Sequence, residues 1–105
     1  MLRLSNMKFM IEFNPPVDFK NELEMRPDLQ KKIGEAIGRI RPISGWFTWR
    51  YGFIIVEANT TDELNRKVAP ILHLFKTDAK VSPAIPIEEL GNIMSVLGEE
   101  AKKYE

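Results

Sequence analysis

The fold is decided by residues 43–58, ISGWFTWRYGFIIVEA. This stretch contains two runs rich in aromatic and β-branched residues, 43–50 and 53–58, separated by Tyr51-Gly52. Such runs are typical of β-strands, and a short break between them predicts a hairpin. Tyr51-Gly52 is the only turn-like pair between them and is the predicted two-residue turn. A slightly longer loop is the alternative, because tyrosine is a poor residue where φ is positive.

This turn would set which residues of the hairpin face one another, and opposed residues share a face of the sheet. It would pair Trp46 with Glu57 and Thr48 with Ile55. One face is then purely apolar and is expected to lie under helices; its members are Phe47, Trp49, Ile54 and Val56. The other face mixes aromatic and polar groups: Trp46, Thr48, Arg50, Phe53, Ile55 and Glu57.

The chain before the hairpin predicts one strand and one helical region. Apolar and polar residues alternate over 7–13, which predicts a strand with Phe9, Ile11 and Phe13 on one face and Met10 and Glu12 on the other. Helical spacing follows, with Asp18 as the expected N-cap. Pro27 should divide this region, and Arg41-Pro42 should end it.

The chain after the hairpin predicts a helix, a strand and a final helix. Thr60 and Glu63 have the spacing of a capping box, so a helix should begin there. Residues 81–85 predict a strand at a sheet edge, because Pro83 lacks an N–H group. A C-terminal helix over 86–104 has an apolar seam formed by Leu90, Met94, Leu97 and Ala101. This seam either covers its own subunit or packs on a partner.

The order β-α-β-β-α-β-α predicts an α+β protein of the ferredoxin-like class, with four antiparallel strands and the helices on one face. Residues 1–105 are expected to form one domain, with 1–6 as an N-terminal extension. The second face of the sheet is left without helices, yet it carries Met10, Trp46, Phe53 and Ile55. An exposed apolar sheet face predicts an interface or a ligand site, and a symmetric dimer would cover it.

Composition excludes several classes of function. The 105 residues contain 15 basic and 15 acidic side chains, so the chain has no basic footprint for nucleic acid. It has no cysteine and a single histidine, so we expect no metal site and no cofactor. No apolar run is long enough to span a membrane, and the default expectation is a cytoplasmic protein with no membrane partner.

The hairpin and the segments after it also have a familiar order. In this order and spacing the chain resembles a domain-of-unknown-function family within the dimeric α/β-barrel (ferredoxin-like) superfamily. The segments that carry the resemblance are Gly45-Trp46, residues 52–57, the capped helix from Thr60, residues 81–83 and residues 87–89. The resemblance covers roughly residues 7–90 and implies the same fold and a homodimer joined through the sheet face. It implies no activity, because members of this superfamily have unrelated functions.

The candidate ligand site is the face of the sheet without helices. The residues expected there are Met10, Glu12, Trp46, Thr48, Phe53, Ile55 and Glu57. The first hypothesis is a protein that binds a small molecule inside the dimeric barrel. The alternatives are a cofactor-independent monooxygenase- or isomerase-like enzyme with Glu57 or Glu12 as base, and a purely structural dimerisation module.

Overall fold

The computed structural model describes residues 3–104, and their side chains from Met7 onward. In chain order the elements are β1 (Arg3–Phe13), α1 (Phe19–Met25), α2 (Pro27–Ile40), β2 (Ser44–Thr48), β3 (Tyr51–Thr60), α3 (Thr61–Leu74), β4 (Ala79–Ala84), a short 3-10 helix (Ile87–Glu89) and α4 (Leu90–Lys102). The four strands form one antiparallel sheet in the order β2-β3-β1-β4. This arrangement confirms the predicted ferredoxin-like α+β fold.

The two faces of the sheet have different neighbours. The covered face packs against α1, α2 and α3, and its buried strand residues are Phe9, Ile11, Phe13, Ile54, Val56 and Ala58. The helices contribute Phe19, Ile40, Ile71 and Phe75 to the same core. The open face carries the alternate residues of each strand, because successive side chains of a strand point to opposite sides.

Four phenylalanines form a cluster at one end of the covered face. We call Phe13, Phe19, Phe47 and Phe75 the phenylalanine cluster. The ring centroids of Phe13 and Phe75 are 4.8 Å apart, and those of Phe19 and Phe75 are 5.2 Å apart. The cluster joins β1 and β2 to α1 and to the end of α3, so it anchors the helices over this end of the sheet.

The predicted turn of the hairpin is wrong. The chain reverses at Trp49-Arg50, and β3 begins at Tyr51. Trp46 therefore pairs with Phe53, not with Glu57. Thr48 pairs with Tyr51, not with Ile55, which is opposite Ser44. This shift is an even number of residues, so every hairpin residue keeps its predicted face as long as it stays in a strand. Trp49 and Arg50 leave the strands for the turn.

Two local features explain the position of the turn. Thr48 Oγ1 accepts hydrogen bonds from the backbone N–H groups of Arg50 at 3.3 Å and Tyr51 at 3.0 Å, and a threonine hydroxyl that bonds the following backbone favours a turn. Gly52 does not adopt a left-handed conformation. Its missing side chain instead makes room for a ring, since a Cβ there would lie 2.7 Å from Cζ of Phe13.

Most predicted helix signals are confirmed. The N–H of Glu63 donates to Oγ1 of Thr60 at 3.1 Å at the start of α3. Pro27 begins α2 and separates it from α1, and Arg41 ends α2 in the left-handed conformation. Asp18 precedes α1 but makes no side-chain capping bond.

Two strand boundaries differ from the prediction. β1 begins at Arg3, so it extends into the predicted extension 1–6, of which residues 1 and 2 lie outside the described residues. β4 covers Ala79–Ala84, two residues earlier than predicted at its start, and it is an edge strand, as Pro83 required.

The C-terminal helix stands apart from the core. α4 has no buried residue, and its closest packing is with the short 3-10 helix before it. The molecule measures 57 × 28 × 23 Å, with a radius of gyration of 17.0 Å. A compact domain of this length has a radius of gyration of about 13 Å. The helix therefore does not cover its own subunit.

Candidate functional site

The open face of the sheet brings the predicted site residues into rows that run across the strands. One row contains Trp46, Phe53, Glu12 and Lys80, from β2 through β3 and β1 to β4. The adjacent row contains Ser44, Ile55, Met10 and Ser82. The next row contains Glu57, Lys8 and Ala84. Thr48 pairs with Tyr51 at the opposite end, beside the turn.

The centre of the open face is apolar. Met10, Phe53 and Ile55 occupy neighbouring positions in the first two rows, and each is only half-buried. Trp46 lies beside Phe53 on the edge strand and is 75% exposed. These four residues form a contiguous apolar patch without a helix over it, which is the usual composition of an interface or of an apolar ligand site.

Glu12 gives this patch a polar border. The phenol of Tyr51 donates a hydrogen bond to Oε1 of Glu12 across 2.8 Å. This bond raises the pKa of Tyr51 above its ordinary value, with smaller contributions from desolvation and from the charge of Glu12. Sequence reasoning missed Tyr51, because the incorrect turn placed it outside the strands.

Glu57 is separated from the other candidate carboxylate. It pairs with Lys8, four residues along β1 from Glu12. At the usual strand rise and spacing, their Cα atoms are about 14 Å apart. The two carboxylates therefore do not form a pair, and Glu12, rather than Glu57, shares a row with Trp46.

A polar cleft of about 440 Å³ lies beside Glu12, where β1 ends and β4 begins. Its lining includes Tyr51, Asn14, Thr77 and Lys80. The backbone N–H of Asn14 donates to Oγ1 of Thr77 at 3.2 Å, which ties the two loops together. The cleft continues from the polar border of the open face, so a group bound on the patch can reach it.

A second cleft lies on the opposite side of the sheet, between β2 and the first two helices. We call it the apolar cleft. It has a volume of about 370 Å³, and its lining includes Leu23, Ile33, Ile37, Phe47 and Trp49. Trp46 and Phe53 also line it, so the cleft reaches the apolar patch of the open face at the β2 edge. The phenylalanine cluster forms its floor, because Phe13, Phe19 and Phe75 also line it. The aromatic pair Phe47 and Trp49 was predicted to lie under helices, yet these residues are 44% and 42% exposed.

The single histidine of the chain, His73, is an exposed residue of α3 and lines neither cleft. Within residues 3–104, no helix combines the length and the apolar character needed to cross a lipid bilayer. The chain matches no protein-family model and no curated protein.

Proposed function

We propose that the chain is a homodimer that binds a small molecule between the open faces of two sheets. The observation that carries this proposal is the apolar patch of Met10, Trp46, Phe53 and Ile55 on a face without helices. A second copy supplies an identical patch, and a two-fold axis brings the two patches together. The dimer is then an α/β barrel, in agreement with the resemblance noted from the sequence.

Burial of aromatic side chains supports the dimer energetically. Trp46 exposes three-quarters of its surface, and a fully buried tryptophan removes roughly 150–250 Å² from water. At about 25 cal/mol per Å², covering the patch contributes several kcal/mol per subunit before the cost of association. Tryptophan and methionine are also enriched at protein interfaces.

The chemistry of the face defines the class of ligand. The proposed site consists of Met10, Glu12, Trp46, Thr48, Phe53, Ile55 and Glu57. An apolar wall with few polar groups suits a planar, weakly polar compound. Oε1 of Glu12 already accepts from Tyr51, and its other oxygen accepts one further donor. A ligand with one hydrogen-bond donor at its rim therefore fits this site best.

The dimer is tested by light scattering after size exclusion. The expected mass is about 24 kDa, twice the 12.1 kDa of one chain. Trp46→Asp should give monomers, because it would place a charge in a desolvated interface, and its exposed position makes it harmless to the single subunit. Phe53→Asp should do the same. Asn65→Asp, an exposed change on α3, is the matched control. A wild-type mass of 12 kDa at micromolar concentration contradicts the dimer.

The ligand is tested by native mass spectrometry of the purified dimer. A retained compound should be lost in Glu12→Gln, while Glu57→Gln should reduce its occupancy less, because Glu57 lies beyond the apolar patch. A dimer that carries no compound, and that gains none from a library of planar aromatic compounds, favours the structural dimerisation module instead.

A further inference from the structure

The apolar side of α4 has no partner in its own subunit. Leu90, Met94 and Leu97 are 46%, 63% and 62% exposed. At 3.6 residues per turn, all six apolar side chains larger than glycine fall within about 160° of the helix surface; they are Leu90, Ile93, Met94, Val96, Leu97 and Ala101. A helix with so wide an apolar face is normally packed against a core.

In the described part of the chain, the apolar cleft lacks an element that would cover its apolar residues. β2 is an edge strand of which every residue is exposed, although Phe47 contacts the phenylalanine cluster. On the covered side of the sheet, Ile33 and Ile37 of α2 leave a gap beside Phe47 and Trp49. The cleft is thus an apolar gap at the edge of the core.

The helix and the cleft of one subunit lie far apart. α4 follows the end of β4 at Ala84, which is opposite Lys8 of β1. Phe47 is instead aligned across the sheet with Ala79, at the start of β4. Three strand spacings and five residues of strand separate these positions, which is roughly 22 Å. α3 packs on β3, β1 and β4 between them. No residue of α4 lines the cleft of its own subunit.

A second copy removes this obstacle. β2 and β4 are the two edges of the sheet. When two sheets face each other across a two-fold axis that runs along the strands, the β2 edge of one meets the β4 edge of the other. The partner's α4, which continues from β4, then emerges beside β2. Its 13 residues span about 20 Å, and the five residues of β2 span about 17 Å.

The exposed area of the chain is large enough for such an arm. The accessible surface is 7741 Å², about 1,700 Å² more than the roughly 6,000 Å² of a compact monomer of this mass. A standard interface removes about 800 Å² from each partner. The excess surface of about 1,700 Å² is about twice this 800 Å². After a sheet-to-sheet contact of standard size, about 800 Å² of excess surface is left for contact through the arm.

We propose that α4 is an exchanged arm that packs its Leu90, Met94 and Leu97 side into the apolar cleft of a second copy of this chain. The proposal rests on the proposed dimer in that both need a second copy. The two surfaces meet at Trp46 and Phe53, which line the cleft, whereas Met10 and Ile55 belong to the open face alone. Each arm completes the partner's core beside β2, and the two-fold axis makes the exchange reciprocal.

Cysteine cross-linking tests the arm in the full chain, which contains no native cysteine. Trp49→Cys and Leu97→Cys chains are mixed and gently oxidised, and a disulfide-linked pair of unlike chains is the expected product. Ser95→Cys replaces Leu97→Cys as the matched control, because Ser95 lies about 160° away on the same helix. Equal yields from both mixtures overturn the proposal. A chain that carries both Trp49→Cys and Leu97→Cys and forms the disulfide within itself also overturns the proposal.

A second variant keeps the test independent of changes in the cleft. Leu97→Glu should raise the dimer dissociation constant at least about tenfold relative to Ser95→Glu, since it places a carboxylate in an apolar cleft. Equal dissociation constants overturn the arm. Ile55→Asp changes the open face outside the cleft. If Ile55→Asp gives monomers while Leu97→Glu has no effect, the sheet interface stands and the arm fails. If cross-links form while Ile55→Asp leaves the dimer intact, the arm stands and the sheet interface fails.

Discussion

The two faces of one sheet show how the same strands produce both a buried core and an exposed apolar patch. On the covered face, Ile11 and Val56 are fully buried under helices. On the open face, their neighbours Met10 and Ile55 are equally apolar but only half-buried. Alternation along a strand places them on opposite sides, so hydropathy alone does not separate them. What separates them is the number of helices, because the chain has enough helical surface near the sheet for one face only.

The open face also differs from an ordinary exposed sheet face in its composition. A solvent-exposed antiparallel face ordinarily carries polar side chains. Here the polar groups surround the centre. Glu12 and Tyr51 lie toward one end, Lys8 and Glu57 toward the other, and Ser44, Lys80 and Ser82 lie on the edge strands. The centre is apolar, as in an interface with an apolar core and a polar rim.

The largest predicted effect separates the faces by stability. Ile11→Ala should lower the free energy of unfolding by about 2–5 kcal/mol, because it leaves a cavity in a fully buried site. Ile55→Ala, the same change one strand away on the open face, should cost clearly less at concentrations where the chain is monomeric. Urea denaturation at several protein concentrations measures both values.

The concentration series also tests the role of the open face. The cost of Ile55→Ala should grow as dimers form, whereas the cost of Ile11→Ala should stay nearly constant. Equal costs at every concentration would mean that the two faces do not differ in function.

The next effect concerns the close packing under Gly52 on the covered face. Gly52→Ala should destabilise the fold by about 1–3 kcal/mol, because its Cβ would meet Phe13 and Phe47 rings within 2.9 Å. Gly34→Ala is the control, since its Cβ meets nothing within 4 Å in α2 and alanine favours a helix by about 1 kcal/mol. Thermal unfolding should therefore shift in opposite directions, and a neutral Gly52→Ala would contradict the packing described here.

Gly52 also shows how far the sequence could predict this fold. Element types, their order and the covered face followed from periodicity, and the Thr60 cap and the Pro27 break followed from residue chemistry. The turn did not, because a glycine within a strand and a glycine in a turn look alike in sequence. The predicted pairing of β2 with β3 was shifted by an even number of residues. Trp46 and Phe53 therefore kept their predicted face of the sheet but had wrong neighbours.

The clefts were beyond the reach of sequence reasoning for a different reason. Both depend on where elements stop rather than on what they are. The apolar cleft exists because α2 leaves Phe47 and Trp49 partly uncovered, and the polar cleft depends on the loop at Thr77 meeting Asn14. Periodicity along one element contains no information about such distances between elements.

A smaller effect is predicted for the hairpin turn at Trp49-Arg50. Thr48→Val keeps the β-branched shape but removes the acceptor for two backbone N–H groups. The loss should be about 0.5–1.5 kcal/mol, since solvent partly replaces the bonds at this exposed site. Amide hydrogen exchange at Arg50 and Tyr51 should accelerate while exchange in β1 does not. Unchanged exchange at both residues would show that the hydroxyl does not hold the turn.

The smallest effect lies at the polar border of the open face, where Tyr51 donates to Glu12. This bond raises the pKa of Tyr51 above its ordinary value of 10.0. In a Tyr104→Phe background, Tyr51 is the only tyrosine, so the ultraviolet absorbance of tyrosinate reports its pKa directly. Glu12→Gln should lower that pKa toward 10, because it removes both the carboxylate acceptor and its charge. The folded-state pKa is above the unfolded one, so the bond stabilises the fold fully below pH 10 and this contribution is lost as the pH rises through the folded-state pKa.

Glu57→Gln, on the same face but outside hydrogen-bond reach of Tyr51, should leave the titration unchanged. If Glu57→Gln shifts the pKa as much as Glu12→Gln does, the two ends of the face are not the separate polar borders that the strand register describes.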